Sequence, residues 1–205
     1  MTKPSADATA SASTRERLIA AMAAALQRRG YHGTGLSDLL AAAQAPKGVL
    51  YHHFPGGKTA LAVAAIEATV ARVAQALDQL IERKDDPVAA LRAWLAAAQK
   101  QLEAGAFERG CPLATVALES TADDADIRAA LATGFALLRA RLARALAVAG
   151  LGPARARQLA ALTVSAYEGA LMQARVAGSV EPMAETSQGL LALLQHAVDH
   201  PGELR

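Results

Sequence analysis

A short basic segment in the first third of the chain has the side chains that recognition of a nucleic acid requires. Residues 46–54 read PKGVLYHHF, and helical spacing places Leu50 and Phe54 together on an inward face. The residues that remain for the outer face are Lys47, Gly48, Tyr51 and His52. A lysine can reach a phosphate or the O6/N7 edge of guanine, and tyrosine hydroxyls and imidazoles can bond to phosphates or bases. The segment therefore predicts a helix that enters the major groove of double-stranded DNA.

Several residues of this segment allow two interpretations. Gly48 lets the backbone approach DNA closely, and Val49 lies near a thymine methyl unless it belongs to the core. Tyr51 and His53 are either DNA contacts or half-buried packing residues. Lys58 is either an ordinary solvated lysine or a functional one. A positive charge is unfavourable at a helix N-terminus, which favours a functional reason for Lys58.

Other chemistry is poorly supported by the residue pattern. Adjacent helical residues such as His52 and His53 point about 100° apart, and no Cys, Asp or Glu lies near them, so no metal site is predicted. The single cysteine, Cys111, precedes Pro112 and is either a small buried hydrophobic residue or a reactive thiol. The sequence has no G-x-S-x-G motif, phosphate-binding loop or zinc-spaced histidine pair. We therefore expect no enzyme and no cofactor.

Composition indicates the elements that must position these residues. The chain has 53 alanines and 28 leucines against 11 valines and 4 isoleucines, and aromatic residues make up only 3%. Alanine and leucine favour helices, whereas strands favour β-branched and aromatic residues, so an all-α fold is predicted. One cysteine excludes an internal disulfide framework. No uncharged apolar run approaches the ~18 residues of a membrane span, and no secretory signal is recognisable, so a cytoplasmic protein without membrane contact is expected.

Charge is distributed unevenly along the 205 residues. Residues 1–58 have seven basic and three acidic side chains, whereas the chain as a whole has a net charge of only +2. A basic N-terminal part on a slightly acidic body is typical of a protein whose first third meets a polyanion.

Local signals predict three short helices at the front. Ser13 stands three residues before Glu16 in the pattern of a capping box, so the first helix is expected over 14–29, with a stop at Gly30. The second is expected over 36–43 and the third over 46–53, because Pro55 disfavours helical geometry at the preceding residue. Two short helices joined by a tight turn match a helix-turn-helix.

Longer helices are expected in the body, over 58–83, from 87, over 112–120, 123–148, 153–177 and 183–199. This division predicts a disordered tail at 1–12, a helix-turn-helix DNA-binding domain at 13–58, and a helical bundle for ligand binding and dimerisation at 59–205.

The front of the chain resembles the DNA-binding module of the tetracycline-repressor (TetR) family over about residues 14–63. The resemblance lies in Gly48-Val49-Leu50-Tyr51-His52-His53-Phe54, followed by Lys58 and Leu61. Three further stretches are similar to the LmrA/YxaF-like branch: Ala45-Pro46-Lys47-Gly48, Pro55-Gly56-Gly57-Lys58 and Gly110-Cys111-Pro112-Leu113. The resemblance implies phosphate contacts by Thr34, Tyr51 and Lys58. It also implies base reading by Lys47, Gly48, Val49 and His52, with His53 near the DNA backbone or supporting the helix.

Two residues depart from the family pattern. Gln44 stands in the turn where the family usually has glycine, and a left-handed conformation there would cost on the order of 1 kcal/mol. Gly35 replaces the usual serine or threonine beside Thr34, which removes one possible phosphate donor. Both departures are expected to affect affinity and not the mode of binding.

A ligand pocket is expected in the body, because its few large side chains stand among many alanines and leave room between helices. Within the family, such a cavity is lined by the middle helices. The expected lining residues are Trp94, Phe107, Cys111, Thr115, Glu119, Phe135, Tyr167 and Met172. Thr115, Glu119 and Glu168 are the candidate polar anchors for a small-molecule effector. The alternatives are that Trp94 and Phe135 fill the core and that Glu119 is exposed or paired.

The last two long helices are expected to form a homodimer interface, which also supplies the twofold symmetry that two DNA half-sites require. The expected residues are Leu159, Leu162, Ala166, Gly169, Ala170, Gln173, Leu190, Leu191, Leu194 and Val198. The alternative is that each helix buries its stripe within its own chain.

Taken together, these patterns predict a ligand-responsive transcriptional regulator. It would be a repressor that a small apolar or aromatic molecule releases from its double-stranded operator DNA. A helical scaffold that binds only protein is the alternative, and it would leave the basic PKGVLYHHF segment and Lys58 unexplained.

Overall fold

A computed structural model describes residues 13–84 and 86–201 of the chain. Those residues form nine helices and no strand, as the composition predicts. The helices are α1 (Thr14–Arg29), α2 (Leu36–Ala42), α3 (Lys47–His53), α4 (Gly57–Lys84), α5 (Pro87–Ala104), α6 (Pro112–Glu119), α7 (Ala125–Val148), α8 (Pro153–Ala177) and α9 (Glu181–Asp199). The all-α prediction is confirmed. The tail predicted at 1–12 lies outside the described residues.

The start of α1 has the predicted capping box. Ser13 Oγ accepts a hydrogen bond from the Glu16 N–H at 3.2 Å, and Glu16 Oε2 accepts one from the Ser13 N–H at 2.7 Å. This reciprocal pair satisfies two backbone donors that a helix start would otherwise leave without partners. At the other end, Gly30 has a φ of +70°, a conformation that glycine adopts without strain.

The turn between α2 and α3 has the strained residue that the sequence predicts. Gln44 has a φ of +50°, in the left-handed region that disfavours a residue with a Cβ atom. Pro46 then caps α3, which begins at Lys47, one residue later than predicted. Small shifts also occur at α7, which begins at Ala125, and at α9, which begins at Glu181.

Helix α4 connects the front helices to the body. Its buried face includes Leu61, Ala65, Ile66 and Val70, which pack in one core with residues of α1, α2, α3, α6 and α7. By length and composition alone, α4 is also the one described helix that could cross a membrane. Its place in this core shows that it is instead an internal helix of the fold.

Two cores hold the described chain together. The first joins α1–α3 to α4, α6 and the first half of α7, and the second joins α5, the end of α7, α8 and α9. Helices α4 and α7 approach closely at Gly134, where a methyl group would lie 2.6 Å from Val70 Cγ2. Because the first core crosses the predicted domain boundary at residue 58, the front helices and the start of the bundle pack as one unit. The boundary itself stays a prediction.

Candidate nucleic-acid interface and adjoining cavity

Helix α3 turns one face inward and one face to solvent. Leu50 and Phe54 are buried in the first core, as predicted. The opposite face exposes Lys47, Gly48, Tyr51 and His52, and 47% of the Tyr51 surface is accessible. The predicted DNA-facing residues therefore lie together on one solvent-facing side of the helix. Space around this side is open, because a methyl group on Gly48 would meet no atom within 4 Å.

Lys58 is fixed beside this surface at the start of α4. Its ammonium nitrogen lies 4.3 Å from the centroid of the Tyr31 ring, a cation–π distance. The Tyr31 hydroxyl shares a 2.9 Å hydrogen bond with Thr59 Oγ1, which holds the ring in place. Partial burial lowers the pKa of Lys58, and the nearby charge of Glu119 opposes that shift. The Lys58 side chain is thus half-buried and oriented by its neighbours, unlike an ordinary solvated lysine.

Thr34 requires a correction to the expected interface. Only 2% of its surface is exposed, and its hydroxyl donates a 2.6 Å hydrogen bond to the Gly30 carbonyl. Its N–H donates to the Tyr31 carbonyl. Both groups are used in closing the end of α1, so this residue offers no donor to a phosphate.

Val49 and His53 lie at the edge of the exposed face and are half-buried. The His53 ring stands edge-on to the Phe54 ring, with centroids 6.5 Å apart. This contact fits support of the helix, which is one of the two roles considered for His53. Contact of either residue with DNA stays a prediction.

A cavity of about 450 Å³ lies between α4, α5, α7 and α8. Of the residues expected to line a pocket, it contains Trp94, Cys111 and Tyr167, together with the candidate anchor Glu168. The Trp94 and Tyr167 rings lie with their centroids 4.4 Å apart. Both aromatic side chains therefore form one continuous apolar wall of the cavity.

A second, more open recess of about 850 Å³ adjoins this cavity. It contains the other expected lining residues Phe107, Thr115, Phe135 and Met172. Cys111 and Glu168 line both recesses and stand between them. The predicted pocket residues are therefore divided between two neighbouring spaces.

Sequence reasoning missed much of the cavity wall. Seven leucines from five helices line it: Leu77, Leu91, Leu102, Leu113, Leu138, Leu142 and Leu171. Nothing in their local sequence distinguishes a leucine beside a cavity from one in a filled core. Gln27 of α1, Arg72 and Arg109 also line the cavity, and both arginines are exposed.

Glu168 is an acidic residue of the cavity wall whose surroundings shift its pKa. Burial raises its pKa to about 7, and the neighbouring thiol of Cys111 opposes that shift. Its Oε2 atom is buried and has no hydrogen-bond partner among the described residues. Burial also raises the pKa values of Cys111 and Tyr167, so both groups stay protonated. A thiol with a raised pKa is unreactive, which favours the structural interpretation of Cys111.

Glu119 lies outside both recesses and links the body to the front helices. Its carboxylate accepts hydrogen bonds from the backbone N–H groups of Tyr31 and His32, the latter at 3.3 Å. The His32 ring also lies 3.1 Å from Asp124 Oδ2. The pocket assignment of Glu119 is therefore corrected. Cys111 caps the start of α6 beside the cavity, whereas Glu119 at the end of α6 holds the loop between α1 and α2.

The predicted dimer stripes divide into buried and exposed residues. Five of them are buried in the second core: Leu159, Ala170, Leu190, Leu191 and Leu194. Leu162 and Gln173 are exposed, whereas Ala166, Gly169 and Val198 are half-buried. Met172 and Val176, also on α8, add exposed apolar surface. The five buried residues therefore follow the alternative, in which each helix buries its stripe within its own chain. The exposed residues of α8 form a surface on which a partner subunit could pack.

Comparisons with known proteins agree with this geometry. The family described as bacterial regulatory proteins, tetR family, matches residues 18–65, and the C-terminal domain of LmrA/YxaF-like transcriptional regulators matches residues 87–188.

Three individual proteins illustrate the similarity. The HTH-type transcriptional regulator Rv0196 of Mycobacterium tuberculosis is 33% identical, over 82% of this chain and 88% of the relative. The regulator YxaF of Bacillus subtilis is 31% identical, over 78% of this chain and 83% of the relative. The crystal structure of reduced NemR, a transcriptional repressor of Escherichia coli, has a TM-score of 0.71 and 28% identity, over 90% of this chain and 96% of that chain.

Proposed function

Because the chain belongs to the TetR family of bacterial transcriptional regulators, with a C-terminal domain of the LmrA/YxaF-like type, we propose that it is a homodimeric repressor. A small apolar or aromatic effector would release it from operator DNA in the cytoplasm. The observation that carries the proposal is the outward face of α3, where Lys47, Gly48, Tyr51 and His52 share one exposed side. In a helix-turn-helix, this is the side that enters the major groove.

The contacts around Lys58 support the same orientation. A half-buried ammonium group over the Tyr31 ring is positioned before any DNA arrives, so little side-chain freedom remains to be lost on binding. Tyr51 is next to Gly57, where a methyl group would lie 3.3 Å from the Tyr51 ring. Tyr51 and Lys58 therefore form one surface at the junction of α3 and α4, suited to a DNA phosphate.

The response to an effector is supported by the course of α6. The N–H of Gly110, before α6, donates to the Gln27 carbonyl of α1 at 3.1 Å, and Gly110 and Gln27 both line the cavity. At the far end, Glu119 holds the backbone of Tyr31 and His32. A ligand that displaces Cys111 and α6 would therefore shift α1 and α2 relative to the partner subunit. Ligand and DNA then oppose each other through one reciprocal coupling free energy.

Twofold assembly is supported by the exposed apolar residues of α8. Leu162, Met172 and Val176 lie outside the chain's own cores. One helix-turn-helix buries little DNA-contacting surface, whereas a dimer presents two copies to half-sites one or more helical turns apart.

Fluorescence anisotropy on the gene's own upstream DNA tests this function. We expect nanomolar, sequence-specific binding by the wild-type protein, and loss of that binding in the double variant Tyr51→Ala, Lys58→Ala. Lys58→Ala alone should weaken binding uniformly and reduce the slope of log K against log salt by about 1. Lys100→Ala, on the exposed surface of α5, is the matched charge control and should bind normally. Retained specific binding by the double variant would overturn the assignment, as would failure of the wild-type protein to bind any duplex at low salt.

A further inference from the structure

The cavity wall bears on the chemical class of the effector, because one carboxyl group and two aromatic rings line the same space. Glu168 lines the cavity together with Trp94 and Tyr167, and its Oε2 atom is buried without a hydrogen-bond partner. A buried carboxyl oxygen without a partner carries a desolvation penalty that a donor or a cation would relieve. No salt bridge to Glu168 occurs in the part of the chain that the structure describes.

We propose that the effector is a planar aromatic cation, whose ammonium or ring-nitrogen charge pairs with Glu168 while its rings pack on Trp94 and Tyr167. Aromatic faces attract cations, and tryptophan does so most strongly. Seven leucines also line the cavity, and their side chains suit the apolar body of such a ligand. This inference rests on the proposed function only in assigning the cavity to the effector.

Other charged groups near Glu168 bear on this choice. Arg72 and Arg109 line the same cavity, and the adjoining recess contains Arg28, Glu108 and Arg175. Arg72 and Arg109 are exposed, so solvent screens their repulsion of a cation more than it screens the attraction of buried Glu168. Cys111 and Tyr167 also face Glu168, and both stay neutral because burial raises their pKa values.

Binding of a permanent cation should be linked to a proton. The pKa of Glu168 is raised to about 7 by burial, so about half of the free protein has a neutral carboxyl group at pH 7. A cation binds the ionised form, and the proton of the neutral fraction passes to the buffer. Affinity should therefore rise about tenfold between pH 6 and pH 8, as the ionised fraction grows from about a tenth to about nine-tenths.

The test uses 10-methylacridinium, a permanent cation, and its uncharged parent acridine, each titrated into the full-length protein without DNA. At pH 8 we expect 10-methylacridinium to bind at least tenfold more tightly than acridine. Glu168→Gln should lose most of that preference and show no rise in affinity between pH 6 and pH 8. Glu103→Gln, on the exposed surface of α5, is the matched control and should behave as the wild-type protein.

A measurement on the wild-type protein alone guards against a folding defect in the variant. Calorimetry in two buffers of different ionisation enthalpy should record the release of about half a proton per bound 10-methylacridinium at pH 7. Equal affinity for the two compounds, a flat pH profile in the wild-type protein, or no binding of the cation would overturn the inference. Normal operator binding by the ligand-free protein alongside such a result would leave the proposed function intact. Failure of the ligand-free protein to bind the operator, together with proton-linked cation binding, would overturn only the regulator assignment.

Discussion

Gly48 lies on the exposed face of α3, in the first turn of the helix, where the fold places no atom within 4 Å of an added methyl group. Alanine has a better helix propensity than glycine, so Gly48→Ala should raise the free energy of unfolding by up to about 1 kcal/mol. If the backbone of α3 approaches DNA closely, the same methyl group should weaken operator binding by at least tenfold. Urea unfolding and anisotropy measure the two effects separately. Unchanged DNA affinity in a stabilised variant would show that α3 does not approach the duplex through this residue.

Glu168 should make the stability of the protein depend on pH. Burial raises its pKa from an ordinary value of 4.5 to about 7 in the folded state. The folded protein therefore holds this proton more tightly than the unfolded chain, and the stabilisation is lost as the pH rises through about 7. Glu168→Gln should thus be more stable than the wild-type protein at pH 8, by up to about 3 kcal/mol, reduced by any unmet hydrogen bonds of the amide.

Urea unfolding of both proteins at pH 5 and pH 8, at one fixed protein concentration, measures this difference. The two proteins should differ little at pH 5, where the carboxyl group of the folded state is protonated. Glu103→Gln should show no comparable change between the two pH values, because Glu103 is exposed. An equal stability difference at both pH values would show that folding does not raise the pKa of Glu168.

At the scale of helices, the sequence predicts what neighbouring residues determine. Ser13 and Glu16 start α1, and Pro87 starts α5. The left-handed turn residue Gln44 stands out for another reason, because the family usually has glycine at that position. These signals act over three or four residues, so they can be read without knowing the fold. The inward face of α3 is equally local, since helical spacing alone aligns Leu50 with Phe54.

Residues whose role depends on how the backbone folds around them could not be assigned in this way. Thr34 looks like a phosphate donor until the end of α1 places the Gly30 carbonyl beside its hydroxyl. Glu119 looks like a pocket anchor until the fold brings it to residues 31 and 32, which are 87 or more positions earlier in the chain. Phe107 adopts a φ of +60°, which nothing in its own sequence indicates. A long-range contact decides the role of Glu119, whereas local backbone geometry decides the role of Thr34 and the conformation of Phe107.

Helix α6 should transmit the effector signal through Glu119. Glu119→Ala leaves the N–H groups of Tyr31 and His32 without their carboxylate acceptor, which should lower the free energy of unfolding by on the order of 1–2 kcal/mol. The variant should still bind effector and operator, yet effector should release less DNA than from the wild-type protein. Anisotropy of labelled operator, titrated with 10-methylacridinium, measures that release. Glu103→Ala, which removes an exposed carboxylate outside both recesses, serves as the control. Full release from Glu119→Ala would exclude this route.

At the scale of the whole chain, the first core determines which motions are available. The DNA-facing helices share that core with α4, α6 and the first half of α7. Packed cores move as units and resist gradual deformation. A ligand in the cavity therefore has two direct routes to the front helices, along α4 and along α6, while α8 and α9 belong to the second core and remain available to a partner. Under the proposed function, release of DNA would correspond to a change in the separation of two rigid front units, one from each subunit.

The exposed face of α8 should hold those two units together. Leu162 is 44% exposed and Val176 is 85% exposed, although both are large and apolar. Introducing a charge there, as in Leu162→Arg, should prevent a partner from packing, so that sedimentation gives the 21.1 kDa monomer where the wild-type protein gives a dimer. Because one front unit alone contacts a single half-site, the monomer should bind the operator at least a hundredfold more weakly.

Val148→Arg provides the matched control, since Val148 is also 85% exposed and apolar but lies at the end of α7. It should remain dimeric and bind the operator normally. If Leu162→Arg stays dimeric and Val148→Arg dissociates, the interface lies at the end of α7 and the distance between the two α3 helices is set by a different pair of surfaces. If neither variant dissociates, burial of the α8 and α9 stripes within one chain describes these helices completely, and the twofold symmetry must come from elsewhere in the molecule.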